Sequence, residues 1–252
     1  MEYRKLPHGE EMISVIGMGS SVVGEQKEAD IIRTVEYALD AGVNYFDMAG
    51  GHATIFPAYG KVMAKRRKEA MMQVHFGADY TTGEYGWTIS LNKVKESIDW
   101  QLENLQADYI DVGFIHCLDE ESDLHTYEKN GILNYIMDLR SQGVVKYIGL
   151  STHAPELANK VLDMNILDMM MFSINPAYDF EKGDELGVGS VNERFELFRR
   201  CQREGVGISV MKPFGGGVLT DGGAVYHFFS TQKDVLPIYG MQHMWELEQM
   251  LG

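Results

Sequence analysis

Cysteine is scarce in this chain of 252 residues: Cys117 and Cys201 are the two present, far apart, so neither a disulfide framework nor a CxxC metal or cluster motif can be drawn. That scarcity makes a reducing cytoplasm the expected setting. Basic residues are outnumbered, 22 Lys and Arg against 37 Asp and Glu, giving a formal net charge of −15 and a pI near 4.9. Such a balance repels nucleic-acid phosphates and anionic bilayers, so neither is an expected partner, and an anionic cofactor would need local donors. No apolar run approaches the ~20 residues of a membrane span. The opening MEYRKLPHGEEM lacks the apolar core of a secretory signal. No repeat, low-complexity tract or Pro/Gly/Ser-rich linker divides the chain, so one domain over 1–252 is expected.

What the chain does have is a steady alternation of short apolar runs with helical patterns. Strands are predicted at Val15 to Met18, Tyr45 to Asp47, Met72 to His75, Ile110 to Ile115, Tyr147 to Leu150, Met169 to Ile174, Gly207 to Met211 and Val235 to Ile238. Helices are predicted between them at Lys27 to Ala41, Ala58 to Lys68, Lys93 to Leu105, Ile132 to Ser141, Glu156 to Leu162, Val191 to Arg203, Val225 to Gln232 and Met244 to Leu251. The helix from Lys93 places Val94, Ile98, Leu102 and Leu105 on one stripe. Roughly eight βα units favour an α/β fold closed as a single (β/α)8 TIM barrel. Tyr3 to Lys5 and Met12 to Ser14, around a Pro-His-Gly turn, suit a hairpin across the barrel floor.

Three of these strands run into an ionisable residue: GVNYFD into Asp47, MMQVHFG through His75, and YIDVGFIHC into His116. Carboxyl ends of parallel strands are where such folds keep their chemistry, so these three side chains are expected to meet at one mouth.

The segments IGMGS (Ile16 to Ser20), ALDAGVNYFDMA (Ala38 to Ala49), DYIDVGFIH (Asp108 to His116), GVVKYIGLSTH (Gly143 to His153), FSINPAYD (Phe172 to Asp179) and GVGISVMKPFGGG (Gly205 to Gly217) occur in an order and spacing that resembles the aldo-keto reductase family nearly end to end. The resemblance implies a (β/α)8 barrel, NAD(P)H and a site of Asp, Tyr, Lys and His, in which the tyrosine protonates a carbonyl oxygen and the lysine lowers its pKa. Asp47 and His116 fall on family positions, while His52 stands at the tyrosine position and His75 at the lysine position. Tyr59 lies further on, where the family has a helix residue.

The resemblance also implies cofactor contacts at Gly19, Ser151, Thr152, Lys212, Gly215, Gly216 and Gly217. Thr152 stands for the family's asparagine, Met211 for a stacking aromatic and Met171 for a glutamine. Gln242 occupies a position often basic, and Gln249 with Met250 replaces Glu-Asn, so the preference between NAD and NADP stays open. The stretch Val218 to Ala224 is short for a pyrophosphate-clasping loop, and the chain ends at Gly252 without the family's substrate-shaping tail or the cysteine-rich cluster domain of some bacterial relatives. A minimal form with an open pocket, or loss of a segment near Leu219, would each give this pattern.

Two readings of the imidazoles follow. In one, His52 or His116 serves as general acid beside Asp47, in a reductase with altered pH dependence. In the other, Asp47, His52, His75 and His116 form a metal cage, since three imidazoles and a carboxylate suit zinc, manganese or iron. Tyr80, Tyr85 and Trp87, in the loop after His75, and Tyr178 are candidates for a wall against a planar or sugar-like small-molecule substrate. An isomerase or lyase on the same barrel, or a catalytically silent ligand-binding member, are the alternatives to an oxidoreductase.

Overall fold

The computed structural model describes residues 1–21, 26–176 and 188–251. Eight parallel strands close on themselves: β3 (Gly17–Gly19), β4 (Tyr45–Asp47), β5 (Met71–Phe76), β8 (Ile110–Ile115), β9 (Val145–Ser151), β10 (Met169–Ser173), β11 (Gly207–Met211) and β12 (Val235–Gly240), each hydrogen-bonded to the next and β12 back to β3. β5 and β8 are buried at every residue. That is the pattern of strands covered on both faces, by helices outside and by side chains within. The interior is filled by Leu6, Ile13, Tyr45, Met71, Val112, Phe114, Met169, Met171, Leu236 and Ile238. Leu6 and Ile13 come from the antiparallel hairpin of β1 (Tyr3–Lys5) and β2 (Met12–Ser14), which closes the floor as expected.

Helices α1 (Glu28–Asp40), α2 (Ile55–Arg66), α3 (Leu91–Leu105), α5 (Ile132–Ser141), α6 (Pro155–Leu162), α7 (Val191–Glu204), α8 (Gly222–Ser230) and α9 (Met244–Leu251) form the outer layer. α3 buries Val94, Ser97, Ile98, Gln101 and Leu105, a stripe at helical spacing. α7 starts in a capping box between Ser190 and Glu193. Contact between α2 and α3 depends on Gly60, where a Cβ would lie 2.0 Å from the Asn104 carbonyl oxygen.

Two elements escape the sequence pattern. α4 (Glu121–Lys129) buries Leu124 and Tyr127 on a largely polar helix, too thin an apolar stripe to register. The hairpin of β6 (Ala78–Asp79) and β7 (Gly86–Trp87) has two-residue strands, below the length at which alternation is readable. It sits directly after β5, at the rim. No described helix is long and apolar enough to cross a membrane.

Candidate active site

Inside the barrel, side chains alternate along each strand, so Tyr45 and Asp47 of β4 point inward together, as do Met71, Gln73 and His75 of β5. Asp47 pairs in register with Gln73, and His75, one pleat further, with Phe114. This staircase brings the polar residues into one connected set. Tyr45 donates its hydroxyl to Gln73 Oε1 at 2.6 Å, which fixes the amide with Nε2 toward Asp47 Oδ1 at 3.0 Å. His75 Nε2 lies 2.7 Å from the same oxygen, and His75 Nδ1 lies 2.9 Å from Nδ1 of His116. Beyond it, His116 Nε2 meets the Tyr85 hydroxyl at 2.9 Å. Burial and the neighbouring His75 ring hold the His116 pKa well below the ordinary imidazole range.

Tyr85 reaches His116 because its hairpin is stitched to the rim. Tyr85 N–H donates to Gly51 O at 3.2 Å, Trp87 Nε1 to His116 O at 3.2 Å and Thr88 N to Gly77 O at 2.9 Å. Burial and the nearby Cys117 thiol push the Tyr85 hydroxyl up to about 12, so it is neutral at any ordinary pH. Next to this set, Thr152 Oγ1 and His153 Nδ1 each bond Asp119, at 3.0 Å, and His153 N–H does so at 2.6 Å. Burial works to raise the Asp119 pKa, but these bonds outweigh it and the carboxyl ends below its usual range.

Asp47, His75, His116, Cys117, Ser151 and His153 open into a cavity of about 730 Å³ at the carboxyl ends of the strands, lined also by Gly19, Lys212, Gly216, Gly217 and Glu246. The sequence-derived trio therefore converges, and Gly19, Ser151, Lys212, Gly216 and Gly217 face the same space.

Several expectations are corrected. His52 bridges to the hairpin instead, its Nδ1 2.8 Å from Glu84 Oε2 with its side chain 45% exposed, and it does not line the cavity. The cause is local: the loop before α2 pairs with the hairpin through Ala53 N to Gly83 O at 3.1 Å, which holds His52 on the outer edge. The four-ligand metal cage fails for the same reason, and because His75 and His116 turn their Nδ1 atoms on each other. Among the described residues no group of three or more His, Cys, Asp or Glu side chains is placed to hold a metal ion. Thr152 is 1% exposed, with its hydroxyl engaged by Asp119 and the Ala154 N–H, so it supports the loop and leaves the cavity to Ser151. Tyr80 is fully buried, its hydroxyl on Gly50 O at 2.8 Å, and packs beneath Tyr85 instead of forming a substrate wall. Tyr59 is sealed in α2 against Phe46. Tyr178 lies outside the described residues.

Gln73 and the Tyr85–His116 bond went unseen in the sequence. A glutamine two residues before His75 in a strand buried throughout was the available signal for the first. The second depends on a hairpin too short to read.

Lys212, at φ 55°, leads into a 3-10 turn at Gly215–Gly217 with φ of 58°, 69° and 95°. A Cβ on Gly216 or Gly217 would meet nothing within 4 Å, so the backbone there faces open space. A second cavity of about 490 Å³ shares Phe214, Thr220, Gly240 and Glu246 with the first and adds Tyr226, Trp245 and Asp221. Glu246 Oε2 accepts from Gln242 N at 2.6 Å and His243 N at 2.7 Å, closing the amino end of α9, and Asp221 accepts from Ala224 N at 3.0 Å, closing that of α8. A cation, an approachable glycine turn and aromatic rings are groups of the kind that would hold the phosphates and rings of a dinucleotide.

A family model described as Aldo/keto reductase family matches residues 15–249. L-galactose dehydrogenase of Arabidopsis thaliana is 26% identical over 243 residues, which cover 88% of this chain and 68% of that protein. An uncharacterized oxidoreductase, YqkF of Bacillus subtilis, is 27% identical over 179 residues, covering 68% and 56%. L-glyceraldehyde 3-phosphate reductase of Escherichia coli is 23% identical over 192 residues, covering 73% and 52%, so the chain spans little more than half the length of these last two. Among solved structures, the holo form of an aldo-keto reductase from Bacillus halodurans superposes with a TM-score of 0.80 at 19% identity, covering 100% of this chain and 90% of that one. A putative aldo-keto reductase from Pseudomonas aeruginosa gives 0.78 at 18%, covering 99% and 92%. At that identity the likeness is one of fold.

Proposed function

This chain belongs to the aldo/keto reductase family, and from that membership we propose that it is an oxidoreductase that interconverts a carbonyl and an alcohol with NADH. The observation that carries the reading is the hydrogen-bonded run from Asp47 through His75 to His116 along the wall of the large cavity. When bound, the dinucleotide supplies hydride; the rest falls to side chains of this chain. His75, with its Nε2 on Asp47, is the proton donor to the carbonyl oxygen, and Asp47 and Gln73 orient it. His116 replenishes that proton. A positioned acid or base of this kind contributes roughly 10²–10⁴ in rate. The Ser151 hydroxyl and Gly19 face the nicotinamide end, and Lys212 with Gly215, Gly216 and Gly217 meets the pyrophosphate.

The preference for NADH rests on Glu246. The Glu246 carboxylate, held just before α9 by the Gln242 and His243 N–H groups, would repel a 2′-phosphate and can accept from a ribose 2′-hydroxyl. The substrate is a small carbonyl compound held in the large cavity beside His75 and His116. Relatives named for L-galactose and L-glyceraldehyde 3-phosphate make hydroxylated aldehydes the first panel to try.

Titration of tryptophan fluorescence with NADH and NADPH, followed by turnover on that panel, tests the reading. NADH is expected to bind at least about tenfold tighter, a gap of about 1.4 kcal/mol, and Glu246→Gln is expected to narrow it. If neither dinucleotide binds at millimolar concentration, the oxidoreductase reading fails.

A further inference from the structure

Exposure changes sharply along the hydrogen-bonded run. His75 is 1% exposed and His116 6%, whereas Tyr85 at its far end is 44% exposed and does not line the cavity. The run therefore joins the interior of the site to the outer surface of the rim hairpin.

Donor and acceptor roles are constrained at every step. The Asp47 carboxylate can only accept, so His75 carries its proton on Nε2 and presents a bare Nδ1. His116 must then donate from Nδ1 across the 2.9 Å contact, which leaves its Nε2 bare to accept from the Tyr85 hydroxyl. All three bonds point the same way, from Tyr85 toward Asp47. Shifting each proton by one bond reverses them all, and Gln73 Nε2, 3.0 Å from both Asp47 Oδ1 and His75 Nε2, has an acceptor in either arrangement. Neither imidazole need become a cation, in keeping with the burial of both rings.

We propose that Tyr85 is the outer end of a proton relay, Tyr85–His116–His75, anchored on Asp47, which passes the proton of the carbonyl–alcohol interconversion between solvent and a site covered by its own substrates. The proposal rests on the oxidoreductase reading for its chemistry. In reduction a bound nicotinamide would supply hydride to the carbonyl carbon, and the oxygen takes the His75 Nε2 proton, which leaves its bond to Asp47 while the Gln73 amide turns to donate to the bared nitrogen. His75 Nδ1 takes the proton of His116 Nδ1, His116 Nε2 that of Tyr85, and water reprotonates the phenol oxygen. Once the alcohol leaves, water entering the open cavity returns a proton to His75 Nε2 and the run shifts back, releasing one from Tyr85. The net change is one proton taken from water per carbonyl reduced, with both imidazoles restored. Tyr85 touches no substrate and acts through His116.

The test is Tyr85→Phe, which removes the hydroxyl and keeps the ring. In ¹⁵N-histidine-labelled protein, two-bond ¹⁵N–¹H spectra are expected to show His116 protonated at Nδ1 and His75 at Nε2, and Tyr85→Phe should shift the bare Nε2 of His116. Turnover should fall about 10- to 100-fold with dinucleotide affinity unchanged, and the rate against deuterium fraction should change from curved, for several protons in flight, to linear. Both imidazoles carrying the same tautomer, or a His116 spectrum indifferent to Tyr85→Phe, would overturn the relay, as would unchanged turnover with an unchanged isotope profile. If neither dinucleotide binds, the oxidoreductase reading alone fails, and the ¹⁵N spectra would still decide the relay.

Discussion

At the amino-terminal end of the barrel, Asp111 is buried and held by Arg67 Nη2 at 2.7 Å, Lys146 Nζ at 3.0 Å and the Met72 N–H at 2.9 Å. Asp168, also buried there, takes Arg140, His8 and the Ile148 N–H. At the carboxyl end Asp47 is nearly as buried, yet its hydrogen-bond donors are the Gln73 amide and the His75 imidazole. Permanent cations secure the floor carboxylates as parts of the scaffold. The mouth carboxylate faces a neutral amide and an imidazole that can give up or take a proton. The same residue type thus serves architecture at one end and chemistry at the other, and what separates the two is the partner.

Removing one carboxylate from each end puts that contrast to its hardest test. Asp111→Ala leaves the Arg67 guanidinium, itself largely buried, and the Met72 N–H without their acceptor. The expected cost is about 3 kcal/mol, at the low end for a broken buried pair because Lys146 reaches solvent. Asp47→Asn keeps an acceptor for Gln73 and removes a buried charge, so urea unfolding should move by about 1 kcal/mol or less, while turnover falls roughly 10²–10⁴-fold. Equal destabilisation by the two variants would erase the distinction.

The barrel was legible in the chain because its strands are short, mostly apolar runs and its helices carry clean stripes, as in β8 and α3. The mouth was legible only in part. Asp47, His75 and His116 stand at strand ends, where backbone geometry alone decides which way they point. His52 and Thr152 sit in loops, and there the partner that claims a side chain, Glu84 or Asp119, belongs to a distant stretch of sequence that no local pattern announces. Family position placed His52 among the catalytic groups; the pairing of its loop with the rim hairpin turned it outward. The Tyr85 contact depends on that same hairpin, which is why the outer end of the relay could be read as a substrate wall but not as a hydrogen-bond partner.

A milder probe lies between the two ends. Gly149 of β9 faces the Phe114 ring, where a Cβ would come within 2.5 Å, and Phe114 in turn packs on His75 with ring centroids 5.5 Å apart. Gly149→Ala overfills this layer, at a cost of about 1–3 kcal/mol. Because the displaced ring backs His75, turnover per folded molecule should fall as well, whereas overpacking at Gly60, between α2 and α3, should lower stability and leave turnover per folded molecule intact. Matched losses of turnover in both variants would mean that the mouth is no more sensitive to packing than the outer layer.

The smallest effect is also the most specific to the mouth. His116 titrates well below an ordinary imidazole because it is buried beside His75, with Asp119 and His153 acting in opposite senses around it. As pH falls through about 6.5 the unfolded chain binds a proton at this residue and the native chain does not. Stability is therefore lost on the acid side, with a limiting slope of about 1.4 kcal/mol per pH unit, until the native site itself takes the proton. His116→Asn abolishes that contribution, so its deficit against the parent in urea unfolding should shrink between pH 7.5 and 5.5. Asp111→Ala, which leaves His116 and its surroundings in place, should instead show a constant deficit over the same range. Parallel curves for His116→Asn would mean that the native ring takes up its proton as the unfolded chain does and is a cation by pH 5.5, where with both nitrogens donating it could not pass a proton between Tyr85 and His75.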